Sequence, residues 1–125
     1  MFKKILIANR GAIASRVIKA CQEMGIHTIA IYSDADERSV HMKLADESHH
    51  LGESSPLESY MNIDKLLDVA RKSGAEAIHP GYGFLSENPE FAQRCEEAGL
   101  SFIGPRSDVI RDMGCKIRSK QIMEK

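Results

Sequence analysis

Ten consecutive residues, His79-Pro80-Gly81-Tyr82-Gly83-Phe84-Leu85-Ser86-Glu87-Asn88, bring an imidazole, a phenol, a hydroxyl, a carboxylate and an amide around two glycines. Pro80 fixes one φ angle, and Gly81 and Gly83 let the backbone turn sharply or come close to a ligand. Tyr82 is thereby presented without bulky neighbours. Links between strands and helices in compact domains need only ~2–6 residues, so a loop of this length and content is built to face something. Ser86 and His79 lie seven residues apart, a spacing that fixes no nucleophile and base geometry. The plainer reading of the same stretch is a structural turn whose Phe84 and Leu85 cap the core.

A second candidate lies near the start. Asn9-x-Gly11-x-x-Ala14 overlays the G-x-G-x-x-G/A dinucleotide fingerprint, and Asp34 stands 23 residues beyond Gly11, where that fingerprint carries its ribose-binding acid. Only one of the three positions is glycine. Asn9 replaces the glycine of the tight turn and Arg10 crowds the path of a pyrophosphate, so an NAD-dependent oxidoreductase is the weaker reading. A phospho-acceptor receiver needs clustered acids after the first strand, where this chain has Ala8-Asn9-Arg10. Cys21, Cys95 and Cys115 are odd in number and widely spaced, which argues against a disulfide framework or a zinc site. His49 and His50 are adjacent in an expected strand, point to opposite faces and do not readily share a metal.

The elements that must position these residues alternate. Lys4–Ala8 is a continuous apolar run, as in a strand buried on both faces of a parallel sheet. Asn9-Arg10-Gly11 turns it into a helix with Ile13, Val17, Ala20, Cys21 and Met24 on the apolar side, Arg16, Lys19 and Glu23 on the polar side, and Gly25 as its stop. Thr28–Tyr32 reads as a second strand, parallel to the first because the crossover is long. After the polar turn Ser33–Asp36, where Asp and Ser suit turns and caps without any ligand, come a short helix over Ser39–Leu44 and a strand over Glu47–Leu51. Ile63, Leu66, Leu67 and Ala70 mark a helix ending at Gly74, followed by the strand Ala75–Ile78 and the ten-residue loop.

Asn88-Pro89 opens a helix burying Phe91, Ala92 and Cys95 and stopping at Gly99. Ser101-Phe102-Ile103 is a last short strand leading into Gly104-Pro105-Arg106 and a helix carrying Val109, Ile110 and Met113. A further helix from Cys115 to Met123 reaches Lys125 without a stop signal, so the chain is expected to continue beyond it. This order predicts an α/β fold, an open parallel sheet with helices on both faces. Ligands bind such sheets beyond the carboxyl ends of the strands. Asn9-Arg10-Gly11, Ser33-Asp34, Gly81-Tyr82-Gly83 and Gly104-Pro105-Arg106 all fall on that edge.

At 125 residues the chain is one domain, long enough to bury about two-thirds of the surface of its unfolded form. Seventeen Lys and Arg against 18 Asp and Glu leave a net charge of -1, no basis for nucleic acid or an anionic membrane as partner. The apolar runs are far too short for a membrane span. Met1-Phe2-Lys3-Lys4 resembles a signal-peptide start, but Asn9-Arg10 interrupts the apolar stretch and no cleavage site follows, so a cytoplasmic protein is expected.

Ile7-Ala8-Asn9-Arg10-Gly11, the His79–Asn88 loop, Phe102-Ile103-Gly104-Pro105 and Met113-Gly114-x-Lys116 together resemble the start of a biotin carboxylase, over essentially the whole chain. The same module opens acetyl-CoA, propionyl-CoA and pyruvate carboxylases. The resemblance implies a Rossmann-like domain over residues 1–112, with 113–125 beginning the connection to an ATP-grasp domain on which it packs. It also implies a ligase that uses Mg-ATP to activate bicarbonate and then carboxylates biotin on a carrier protein or domain, with fatty acid biosynthesis as one setting. Carboxyphosphate is short-lived in water, so such a site works by positioning and solvent exclusion.

Carried over residue by residue, the resemblance makes Lys116 the lysine that reaches ATP phosphates, although alone it would pass for a solvated lysine on a helix. It places Tyr82, Gly83 and Glu87 on the biotin side of the pocket: Tyr82 packing on the ligand, Gly83 offering backbone contact, Glu87 orienting the loop. Arg16, Lys19 and Glu23 resemble the surface used in the family's homodimers; Lys19 and Glu23 are equally spaced for an intrahelical pair. Metal ligands and the general base are expected beyond Lys125, so the segment alone is expected to be inactive. Two positions depart from the pattern. Ala12 replaces a Glu that would favour the helix N-terminus by roughly 0.3–1 kcal/mol, and Cys115 replaces the Asp before Lys116. The rival from another class is a standalone module of the same fold that binds a nucleotide or a partner without catalysis.

Overall fold

Ile5 and Ile7 point to one face of the central strand and Leu6 and Ala8 to the other, and all four are buried, with at most 3% exposure. This is why the run is continuously apolar. In the computed structural model, which describes residues 2–53, 55, 59–81 and 84–103, that run forms β1 (Lys4–Ile7). Helix α1 (Gly11–Glu23) follows, then β2 (His27–Ser33), a single 3-10 turn (Asp34–Asp36), α2 (Val40–Leu44) and β3 (Glu47–Gly52). The second half is α3 (Ile63–Ser73), β4 (Ala77–His79), α4 (Pro89–Glu97) and β5 (Ser101–Phe102). The five strands form one sheet in the order β3-β2-β1-β4-β5, and every pair is parallel. The α/β architecture expected from the alternating pattern is the one observed.

Two cores result. On one face Ile5, Ile7, Ala30 and Ala77 meet Ala14, Ile18 and Cys21 of α1, with Leu44 and Ala45 at the margin. On the other, Leu6, Ile29, Ile31 and Ile78 meet Leu66, Val69 and Ala70 of α3 and Phe91 and Cys95 of α4. Each fully buried Leu, Ile or Phe contributes ~1.5–3 kcal/mol by leaving water, so the sheet is held by both layers. Helix α3 starts where the Asn62 side chain accepts the Lys65 N–H at 3.2 Å, and it stops at Gly74, whose φ is 76°. Helix α4 starts the same way, Asn88 accepting from Phe91 N–H at 3.0 Å with Pro89 in the first turn.

The boundaries differ in detail from the sequence pattern. In α1 the buried stripe is Ala14, Ile18 and Cys21, whereas Ala20 is exposed and Met24, 59% exposed, lies just past the helix end as its cap residue. An apolar side chain at that end has no layer beneath it. Ser33 and Ser39 precede helical turns but neither caps one; their hydroxyls serve Asp36 and His41 instead. The strand at Ala75–Ile78 begins two residues later, at Ala77, because Ala75 N–H is still bonded to Ala70 in the end of α3.

Candidate functional site

The chain runs from β1 to β2 and β3 on one side, then crosses over to β4 and β5 on the other. The crevice between the carboxyl ends of β1 and β4 is therefore the switch point, where open α/β sheets take ligands. Its two walls are Asn9–Gly11 and His79–Gly81. Ala8 N–H donates to the His79 carbonyl at 2.8 Å, extending the ladder into the loops. Asn9, only 2% exposed, then spans the crevice, its Nδ2 donating to the Pro80 carbonyl at 2.8 Å while its Oδ1 accepts from Arg10 N–H at 2.8 Å.

Gly81 closes what remains. Its φ is 67°, and a Cβ there would stand 2.8 Å from Asn9 Nδ2 and 2.9 Å from Ile13 Cγ2. Only glycine fits this approach. Gly81 N–H donates to His79 Nδ1 at 3.1 Å, so the imidazole proton is on Nε2, and burial holds His79 below its ordinary pKa. The switch point is thus occupied by the protein's own side chains. A dinucleotide would have to displace Asn9, which answers the fingerprint read at Asn9-x-Gly11-x-x-Ala14.

Beside the crevice a chain of contacts links the rim loops. The Arg10 guanidinium grips Asp36 through Nε to Oδ2 and Nη2 to Oδ1, each 2.6 Å. The Tyr60 hydroxyl donates to Asp36 Oδ2 and accepts from Ser33 N–H at 3.2 Å. Asp36 is nearly buried, and the Arg10 hydrogen bonds hold its carboxyl down at about 2 against the cost of burial. Burial and the Asp36 hydrogen bond push the Tyr60 phenol up to about 12. The Tyr60 ring stacks on Phe84, centroids 5.2 Å apart and planes 17° from parallel. Phe84, with φ 46°, is the single non-glycine residue at positive φ among the described residues, and Leu85 beside it is buried.

The start of α1 lacks a side-chain cap and has no acid in its first turn, as Ala12 implied. His41 from α2 partly replaces them. Its Nδ1 accepts from Gly11 N–H at 3.3 Å and from the Ser39 hydroxyl at 2.8 Å, while Nε2 donates to the Ile31 carbonyl at 2.9 Å. Every polar atom of the neutral ring is satisfied, and burial pushes its pKa down.

Of the residues carried over from the resemblance, Glu87 lies exposed in the turn that leads to α4. Tyr82, Gly83 and Lys116 lie outside the described residues, as do the helices expected after Gly104, the connection 113–125, and Cys115. Arg16, Lys19 and Glu23 are exposed on α1, and Lys19 and Glu23 form no ion pair with each other. Arg16 and Lys19 border an open groove with Ala12, Ser15 and Val40, which is 65% exposed. His49 and His50 do face opposite ways: His50 pairs with Asp34 and packs on Tyr32, and His49 approaches Glu47. Among the described residues no group of three His, Cys, Asp or Glu is arranged to hold a metal.

Sequence reasoning missed Asp36 and Tyr60. The signal for Asp36 was Arg10 itself, since a cation at the mouth of a buried strand needs an acid. Asp34 and Asp36 both follow β2, and the geometry selects the second. Nothing in the sequence singled out Tyr60.

A family profile described as "Biotin carboxylase, N-terminal domain" matches residues 1–110. The small subunit of 2-oxoglutarate carboxylase from Hydrogenobacter thermophilus is 54% identical over 125 residues, all of this chain and 26% of the relative. Biotin carboxylase of Halalkalibacterium halodurans is 55% identical over 124 residues, 99% of this chain and 27% of the relative. The solved biotin carboxylase domain of a thermophilic 2-oxoglutarate carboxylase bound to bicarbonate superimposes with a TM-score of 0.90 at 55% identity, covering 99% of this chain and 28% of that one. The chain spans about a quarter of the length of these relatives.

Proposed function

We infer that this chain, which belongs to the biotin carboxylase N-terminal domain family, serves in a larger ligase that carboxylates biotin with ATP and bicarbonate. The observation that carries the reading is the loop at the switch point. Asn9, Gly81 and Leu85 hold the backbone on either side of Tyr82 and Gly83 rigidly against the sheet, and in this reading those two residues and Glu87 line the biotin side of the pocket. Well-fixed flanks suit a reaction whose activated intermediate must be kept from water.

The residues present fit that role as a wall and not as reacting groups. Arg10 and Asp36 neutralise each other, His41 and His79 are held neutral, and Gly81 leaves no open phosphate cradle between β1 and β4. Magnesium-bound ATP, when bound, supplies the phosphoryl group that activates bicarbonate. Lys116 would meet the ATP phosphates, and carboxylates elsewhere in the larger enzyme would hold the metal. The partners in this reading are an ATP-grasp domain, a biotin carrier protein or domain, and a second copy packed on Arg16, Lys19 and Glu23. Relatives are named for pyruvate, 2-oxoglutarate and methylcrotonoyl-CoA, so the shared half-reaction is assigned and no final acceptor is.

The test is an assay of the full carboxylase that carries this domain. ADP release that requires bicarbonate and rises with free biotin is the expected result. Saturable NADH binding with no such ADP release would favour the oxidoreductase instead.

A further inference from the structure

Each wall of the crevice between β1 and β4 rests on a histidine used in the same way. On one wall Gly11, at φ 63°, donates its N–H to His41 Nδ1 at 3.3 Å. On the other Gly81, at φ 67°, donates its N–H to His79 Nδ1 at 3.1 Å. A backbone N–H can only donate, so both Nδ1 atoms are bare acceptors and both rings carry their proton on Nε2. Asn9 spans the crevice between the two walls, its Nδ2 donating to the Pro80 carbonyl.

An imidazolium carries a proton on each nitrogen and accepts no hydrogen bond. Protonating either ring therefore points an Nδ1–H at a glycine N–H. At His41 the Ser39 hydroxyl, 2.8 Å away, can turn to accept the new proton, but the Gly11 N–H cannot, and α1 has no side-chain cap to replace the lost acceptor. At His79 the loss falls on Gly81, which lies against Asn9 and Ile13, so a change in its peptide is felt across the crevice. The charged groups around His41 are Arg10 and Asp36, which act on its proton in opposite directions, and Arg16 and Lys19 of α1 along the same groove. Around His79, where β1 brings Ile7 to the same register, no charged side chain among the described residues acts on the ring. Burial favours the neutral ring at both positions.

We propose that the crevice is held shut by two proton-operated latches, His41 on the wall at the start of α1 and His79 on the wall after β4, and that protonating either one frees its glycine and opens its own wall while the sheet stays folded. The device is independent of whichever reaction the larger enzyme carries out. The closed wall disfavours the added proton and the open wall gives the ring to water. Opening is therefore favoured as pH falls below the ordinary 6.5, by at most about tenfold per pH unit for each ring. Local openings of this kind need far less free energy than unfolding of the whole sheet.

The experiment follows hydrogen–deuterium exchange of the full-length protein from about pH 7 to about pH 5, corrected for the chemical exchange rate at each pH, at the Gly11 and Gly81 amides and at β2. In wild type both glycine amides should be less protected than β2 throughout and should lose about tenfold in protection over that range. His79→Asn removes the titration but keeps an acceptor where Nδ1 stood, because an Asn side chain bonds the backbone two residues on. It should flatten the Gly81 profile and leave the Gly11 profile within about twofold of wild type. His41→Asn should do the reverse; if it does not fold, His79→Asn decides alone. Glycine amides that exchange in step with β2 at every pH overturn the proposal. So does a Gly81 profile as steep in His79→Asn as in wild type, or one flattened equally with that of Gly11.

Discussion

Arg10 and Asp36, separated by 26 residues, meet as a two-pronged ion pair with both N···O distances at 2.6 Å. The acid is 5% exposed and the guanidinium about half exposed, so the pair joins the ends of β1 and β2 at the boundary between core and water. Parallel hydrogen bonds of this kind are short, charge-assisted and directional. Their position explains why a strand-end arginine leaves no anion site behind: its charge is already matched.

Arg10→Ala should therefore destabilise the chain out of proportion to its exposure. It leaves the Asp36 carboxylate with only neutral donors, Tyr60 and Ser33. The expected loss is about 2 kcal/mol, below the ~3–5 kcal/mol of a fully buried broken pair because water reaches the Arg10 side. Arg10→Lys should recover only part, since an ammonium cannot engage both oxygens. Urea denaturation midpoints measure the effect, and an unchanged midpoint in Arg10→Ala would remove the pair from the stability account.

Stability should fall in two stages as pH is lowered. His41 and His79 sit below their ordinary 6.5 because of burial, so the unfolded chain takes up their protons first. Their contribution is complete above about pH 6.5 and is lost progressively below it. The Asp36 carboxyl, held at about 2 against an ordinary 3.8, contributes above about pH 4 and loses its contribution between about pH 4 and 2, on the order of 2 kcal/mol. Denaturation followed from pH 7.5 to 2 should show both descents. His41→Gln should flatten the first and Asp36→Asn the second; an Asp36→Asn profile as steep as wild type below about pH 4 would refute that assignment.

Two glycines with similar backbone angles should respond differently to a methyl group. Gly25 and Gly81 have φ of 76° and 67°, but a Cβ on Gly25 meets nothing within 4 Å, whereas one on Gly81 collides with Asn9 and Ile13. Gly25→Ala should cost about 1–2 kcal/mol from the backbone alone. Gly81→Ala adds the collision and should cost about 3 kcal/mol or more. Equal thermal shifts for the two variants would mean that the close approach at Gly81 is relaxed at little cost.

In the larger enzyme, Lys116→Ala should raise the KM for ATP about tenfold, and Tyr82→Ala should impair biotin carboxylation more than biotin-independent ATP hydrolysis. Steady-state kinetics with each substrate varied in turn separates the two. Unchanged constants in either variant take that residue out of the site.

The element order was readable because both faces of the sheet are covered. Short continuous apolar runs such as Ile5-Leu6-Ile7 and β-branched runs such as Thr28–Tyr32, bounded by turn residues, read as buried strands, and Asn62, Gly74, Asn88 and Pro89 punctuate the helices by local chemistry. The His79–Asn88 loop stood out for the same local reason, its glycines and its length. Met24 misled because periodicity records which side a residue faces and not whether a layer lies beneath it.

By itself, then, the sequence determined the parallel α/β architecture, the strand ends at which the rim loops gather and, through its motifs, the family. These rest on periodicity and backbone preference, which act over a few residues. Only the tertiary structure decided that Asn9 bridges to Pro80, that Arg10 chooses Asp36 over Asp34, that His41 serves the start of α1, and that Tyr60 stacks on Phe84. Each of these is a contact between residues more than 20 positions apart, and which donor meets which acceptor is set by strand order and register, quantities that no local pattern encodes.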